Sequence, residues 1–294
     1  MFFSSSRYVF ALVLALAAGF FGCHTSSKFD GDRSFEYLLA QTAMGPRNPG
    51  TPGHAACKAY LLKELSRVAD TVLVQDFALE GFPPGLANII GRYNPESPDR
   101  MLLSAHWDTR PWADLDPDTS NRSKAILGAN DGASGVAVLL EVARVLSEKR
   151  PKRGVDIVFF DAEDSGDAGK PETFCLGSAY YAAHMVRPKP LYGILVDMIG
   201  DRDLDIYIER NSFSGAPHVI DLVWEHAKTS ESFHRSVKYS VYDDHINLLN
   251  AGIPCVVLID FDYPYWHTME DTPDKCSAKS LKDVGDVLLS IAYR

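Results

Sequence analysis

Apolar residues along this chain fall into two alternating rhythms. Between Thr51 and Val68, Ala55, Tyr60, Leu61 and Leu65 recur at roughly helical spacing; between Gly132 and Lys149, so do Val136, Leu139, Leu140, Ala143 and Leu146. Both stretches read as amphipathic helices, the first capped by Thr51. Runs of strand character alternate with them: Thr71 to Leu79, Ala87 to Tyr93, Met101 to Ala105, Val155 to Phe160, Tyr192 to Val196 and Pro254 to Ile259. The Met101 run is apolar at nearly every position, as expected of a strand buried on both faces. Further helices are expected over Ser34 to Met44, around Asp221 to Lys228, and over Ala278 to Ala292. Strands interleaved with helices predict a single α/β domain over residues 34–294, a three-layer α/β/α sandwich with a central mixed, mostly parallel sheet.

Composition narrows the partners. The 294 residues carry a formal net charge of -10, the wrong sign for a surface that grips a polyanion, so nucleic acid is excluded as an expected partner. The first residues have the layout of an export signal: Arg7, then an apolar run from Tyr8 to Phe21, then Gly22-Cys23. The expectation is a signal peptide over residues 1–22, lipidation at Cys23, and a tether over residues 23–33. That places the protein as an exported lipoprotein, periplasm-facing or at the cell surface, held to the membrane through its lipid. Cys57, Cys175, Cys255 and Cys276 are widely spaced with no CxxC pair, so a cysteine-rich zinc module is ruled out and small buried thiols are expected.

In parallel sheets ligands bind beyond the carboxyl ends of the strands. There the chain places His106-Trp107-Asp108, Asp161-Ala162-Glu163-Asp164, Asp197 and Trp266-His267, with Asp131 at the expected N-cap of the Gly132 helix. Taken singly these have plain explanations: Asp131 as a helix cap, Asp108 and Asp197 as turn residues, Glu163-Asp164 as a solvated turn. Taken together, imidazole and carboxylate without thiolate form the ligand set of a catalytic zinc. The acidic Asp108 to Asn130 connection, with Asp114, Asp116 and Asp118, is long enough to rim a site or simply to be solvated.

His106-x-Asp108, the run Gly128-Ala129-Asn130-Asp131-Gly132-Ala133-Ser134-Gly135, the pair Glu163-Asp164, Asp197 and His267 resemble, in the same order, the zinc aminopeptidase clan. Three features are similar to its glutaminyl cyclase branch. These are Asp197-Met198-Ile199-Gly200, Asp243-Asp244-His245-Ile246 with the following Gly252-Ile253-Pro254, and Trp266-His267-Thr268-Met269-Glu270-Asp271. The resemblance implies Asp131, Asp164 and His267 as ligands of one zinc, Glu163 as general base and acid, and Asp197 and Asp243 as holders of the substrate amine and leaving group. It implies Trp266 as a pocket wall and peptide or protein N-termini as substrates, with Asp244 and His245 either neighbours of the substrate or braces of their own loop. Asp164 stands where animal cyclases usually carry Glu, and the Asp164 to Phe174 loop lacks their pocket Trp, leaving Trp107 and Trp112 as stand-ins or as structural residues. Two other readings use the same residues. In a two-zinc aminopeptidase, His106 and Asp197 would hold a second metal bridged by Asp131; in a non-catalytic binding protein on a peptidase fold, the site would be inert.

Overall fold

The computed structural model describes residues 28–294. Asp30, whose side chain accepts from the Arg33 amide, caps α1 (Gly31–Thr42), and Thr51 caps α2 (Pro52–Val68). There follow β1 (Thr71–Asp76), β2 (Ala87–Tyr93), β3 (Arg100–His106), α3 (Ala133–Glu148), β4 (Gly154–Phe160), α4 (Leu176–Ala183) and β5 (Tyr192–Asp197). The rest is β6 (Ile206–Glu209), α5 (Arg210–Gly215), α6 (Pro217–His226), β7 (Phe233–Tyr239), α7 (Asp244–Asn250), β8 (Cys255–Ile259) and α8 (Ala278–Ala292). Six strands form one sheet in the order β1-β2-β4-β3-β5-β8. β1 and β2 run antiparallel to their neighbours, while β4, β3, β5 and β8 are mutually parallel. A separate pair, β6 and β7, is also parallel.

Alternate side chains of the central strands divide between two faces. Met101, Leu103 and Ala105 of β3 join the core under α1, α2, α3, α6 and α8, whereas Leu102 joins the core that includes Tyr181 of α4 and Leu248 of α7. That is the expected α/β/α sandwich with a mixed, mostly parallel sheet, and the period of two explains why both faces of β3 read as apolar. The expected tether is corrected at its end. Phe29 is buried and α1 starts at Gly31, so the packed domain begins before residue 34. A Cβ on Gly285 of α8 would come within 2.1 Å of the Phe29 ring, so glycine there makes the seat for that ring.

The strand expected to reach Leu79 stops at Asp76, where its pairing with β2 runs out at Ala87. α4, β6, α5, β7 and α7 were not foreseen; β7 is mostly exposed and carries no apolar pattern to announce it. The export signal and Cys23 lie outside the described residues. Among the described residues no helix is long and apolar enough to cross a membrane.

Candidate active site

The parallel strands end in polar residues at one edge. β3 finishes on His106 and β5 on Asp197. After β4 the chain turns through Asp161, whose carboxylate takes the Ala87 amide (2.8 Å) and His54 Nε2 (2.9 Å) and so faces away from the site. Ala162 then adopts φ +54°, which turns Glu163 and Asp164 inward. Asp108 fixes that pair, its two oxygens accepting from the amides of Glu163 (3.0 Å) and Asp164 (3.2 Å). Five non-glycine residues among those described have positive φ, and Ala162, Cys175, Met198 and His267 of them lie in or beside this edge. Such conformations cost of order 1–3 kcal/mol and persist where the surroundings impose them.

Asp131 is not the helix cap the sequence suggests. Gly132 holds that position at φ +91° without a side-chain capping bond, because a Cβ there would meet the Asp108 carbonyl at 2.7 Å and the His106 ring at 3.0 Å. The Asp131 carboxylate is left to face two imidazoles. His106 Nε2 lies 3.1 Å from its Oδ1, and His267 Nε2 lies 3.6 Å from its Oδ2. His267 Nε2 is also 3.3 Å from Asp164 Oδ1, while its Nδ1 meets Asp114 at 3.1 Å. His106 Nε2 reaches Asp197 Oδ1 at 3.2 Å. Two clusters sharing Asp131 therefore exist: Asp131, Asp164 and His267, and His106, Asp131 and Asp197.

Their surroundings differ. Asp131, Asp164, His267, Glu163, Asp197, Asp243 and Trp266 line one pocket; His106 does not and is 1% exposed. The pocket wall continues through Phe261, whose ring centroid is 4.8 Å from that of Trp266, and Phe174. A wider apolar groove of about 450 Å³ opens beside it, sharing Phe174, Tyr242, Phe261 and Trp266.

Electrostatics follow from crowding acids in a dry place. Burial lifts the Glu163 carboxyl well above its ordinary range; His106 pulls down, while Asp164, Asp243 and Asp244 push further up. Burial likewise raises Asp164 to about 6, against the pull of His267. Burial also puts Asp243 well above the usual carboxylate range, with Asp197 and Asp244 adding to it. Burial alone would lower His267, but Asp164, Asp114 and Asp131 outweigh it and hold the ring at about 10. The acids thus demand positive charge at this point. Asp131 Oδ2 and Asp164 Oδ2 are also buried without a hydrogen-bond partner. Two carboxylates with unused oxygens and an imidazole oriented by Asp114 fit a zinc ion.

The remaining residues sort clearly. His245 and Asp244, expected near substrate, are fully buried and absent from the pocket lining. α7 turns His245 toward Glu209 (Nε2 to Oε2, 3.2 Å), so it braces the loop that carries Asp243. Trp107 is structural: fully buried, stacked on His54 and bonded to the Ala87 carbonyl. Trp112 is 38% exposed beside Arg110, away from the pocket lining. The four described cysteines are free and buried.

Three contributors carried no individual signal in the sequence. Asp114, one of several acids in a long loop, orients His267. Arg110 ties Asp114 (2.7 Å) to the carbonyls of Asp164 (3.0 Å) and Gly166 (2.7 Å). Asp271 accepts the amides of Asn130 (2.8 Å) and Asp131 (3.1 Å) and so pins the shared carboxylate's backbone.

Known proteins resemble this chain over most of its length. Bovine glutaminyl-peptide cyclotransferase is 27% identical over 282 residues, covering 82% of this chain and 76% of that protein. The crystal structure of Tannerella forsythia glutaminyl cyclase superposes with a TM-score of 0.87 at 40% identity, covering 91% of this chain and 99% of that one. A structure described as a leucine aminopeptidase precursor from Bacteroides thetaiotaomicron gives 0.88 at 39% identity, covering 91% and 98%. The model of peptidase family M28 matches residues 88–292, from β2 to the end of α8 and through every residue of the pocket, and the chain belongs to that family.

Proposed function

We propose that the chain is a zinc-dependent glutaminyl-peptide cyclotransferase, which turns an N-terminal glutamine into pyroglutamate and releases ammonia. The observation that carries this reading is the arrangement of the pocket. One metal-type triad, two carboxyls lifted well above their ordinary range (Glu163 and Asp243) and Asp197 face a wall of Trp266 and Phe261, while His106, engaged by Asp131 and Asp197, stays out of the lining. The residues of a second metal site, His106, Asp131 and Asp197, also stand together, so zinc counting decides between one metal and two. Similarity to proteins named as glutaminyl cyclases supports the cyclase reading.

Asp131, Asp164 and His267 would hold the zinc. When bound, it supplies Lewis acidity toward the side-chain amide oxygen and stabilises the negative charge that develops there. The chain does the rest. Asp197 and Asp243 accept hydrogen bonds from the substrate's α-amine and amide nitrogen. Glu163 takes a proton as the amine forms its bond to the amide carbon, then returns it to the nitrogen that leaves as ammonia. A carboxyl whose pKa burial and neighbouring acids lift is suited to both halves of that transfer. Trp266 and Phe261 exclude water, which would otherwise hydrolyse the amide.

The test uses purified residues 24–294 with two peptides, one beginning with Gln and one with Leu, followed by mass spectrometry and zinc counting. Ammonia loss from the Gln peptide alone, one zinc per chain, and a fall of roughly 10²–10⁴ in kcat for Glu163→Gln support the reading. Release of leucine with two zincs per chain would overturn it.

Residues 1–22 would direct export and a lipid on Cys23 would anchor the enzyme, so that it meets peptide N-termini on the outer side of a membrane. Mass spectrometry of the mature N-terminus checks this: an unmodified Cys23 defeats the anchor.

A further inference from the structure

Cys175 has no part in the chemistry above, yet it lies against the group that does the proton transfer. Its Sγ is 3.2 Å from Glu163 Oε1, and its amide donates to the Glu163 carbonyl at 2.8 Å. The residue is fully buried at the N-cap of α4, in the left-handed region at φ +56°. A residue with a side chain tolerates that conformation only where the surroundings enforce it. Here the carbonyl of Cys175 is held by Asn247 Nδ2 and by the Ser178 hydroxyl, both at 3.0 Å, and the next amide, that of Leu176, bonds to the Ala162 carbonyl at 3.1 Å. The segments carrying Glu163 and Cys175 are thereby locked together at both backbone and side chain.

We propose that Cys175 is a positioning residue for the cyclisation: its thiol donates to Oε1 of Glu163 and so holds that carboxylate's rotamer within the pocket it lines. The inference rests on the reading of Glu163 given above. Burial, reinforced by Glu163, Asp244 and Asp243, pushes the thiol well above its ordinary pKa, so the sulfur keeps the proton it donates. A thiol is a weak donor. It fixes a carboxylate's rotamer without withdrawing much of the basicity that the reaction uses, which a backbone amide or a guanidinium would do. Among the described residues Cys175 makes no disulfide.

Infrared spectroscopy and kinetics on zinc-loaded enzyme test this together. The S–H stretching band of Cys175, isolated by subtracting the Cys175→Ser spectrum, should be shifted by hydrogen bonding in the wild type and relax in Glu163→Gln. Cys175→Ala loses the donor without placing a β-branched side chain in the left-handed region; Cys175→Ser keeps a donor there. With the Gln-initiated peptide, Ala should lower kcat about tenfold with KM little changed, while Ser recovers most of the loss. An Ala enzyme equal to wild type would reduce Cys175 to packing and overturn the proposal. So would a band indifferent to Glu163→Gln, or one that vanishes on adding a second equivalent of zinc, which would make the sulfur a metal ligand. The infrared arm reads the contact even if Cys175→Ala does not fold. Absence of cyclisation by the wild type with the shifted band intact would instead condemn the assigned reaction.

Discussion

The two ends of the parallel strands both bury acids, and they do so in opposite ways. At the amino end Asp156 lies between two arginines: Oδ1 takes Arg92 Nε (2.9 Å) and Arg100 Nη2 (2.7 Å), Oδ2 takes Arg100 Nε (2.9 Å), and Arg100 Nη1 is spent on the Pro95 and Ser97 carbonyls. Both oxygens of that carboxylate are taken. At the carboxyl end Asp131, Glu163, Asp164, Asp197 and Asp243 crowd one pocket beside two imidazoles, with Oδ2 of Asp131, Asp164 and Asp243 unpartnered. A closed cluster is architecture, since nothing remains for a ligand to satisfy; an open one stores unfavourable energy that a cation and a substrate relieve.

Each end can be broken separately. At the carboxyl end, His267→Ala or Asp131→Asn should abolish stoichiometric zinc and reduce kcat/KM roughly a thousandfold or more, the loss of a Lewis acid worth several kcal/mol. Asp164→Asn, which removes a carboxylate whose pKa burial raises to about 6, should leave the metal-free protein's thermal midpoint unchanged or raised; a large drop would mean that this acid is structural after all. Asp156→Ala should behave in reverse. Stranding two buried guanidinium groups costs about 3–5 kcal/mol in a urea titration, while activity per folded molecule stays near wild type.

A smaller effect tests the boundary between the two behaviours. Asp114→Asn should weaken zinc roughly 10–100-fold without removing any ligand, because Asp114 acts through His267 Nδ1 rather than on the metal. Affinity measured by competition with a chelator decides it; an unchanged value would place Asp114 with the solvated acids of its loop.

The smallest effect concerns Glu209, a third buried acid, this one bonded by the amides of Asn211 and Ser212 and by His245. Burial alone would raise its pKa, but those donors bring it from 4.5 down to about 2. A lowered folded pKa gives stability that is full above pH 4.5 and lost as pH falls through about 2. Glu209→Gln should lose stability at neutral pH and flatten that part of the acid dependence, as read from thermal midpoints. An unchanged acid limb would place its cause elsewhere.

Much of this was legible beforehand where local pattern and tertiary role coincide. Ala87 to Tyr93 and Ala278 to Ala292 fall where apolar spacing puts them, and residues at the ends of buried strands point to one edge because a parallel sheet leaves them nowhere else. β7 and α7 were illegible, since one is mostly exposed and the other, at 7 residues, is too short for apolar spacing to show a helical period.

The sequence by itself determined the α/β sandwich, the edge at which the chemistry sits, and the histidines and acids gathered there. Those features depend on residue type and on a period of two or of 3.6, which are one-dimensional properties. Only the tertiary structure decided that Asp131 faces metal-type partners rather than capping a helix, that His106 stands outside the pocket, that His245 braces Glu209, and that Asp114 and Cys175 support the reacting groups. Each of those depends on which way a side chain turns and on which distant backbone meets it, and a distance of about 3 Å between residues tens of positions apart leaves no mark on spacing.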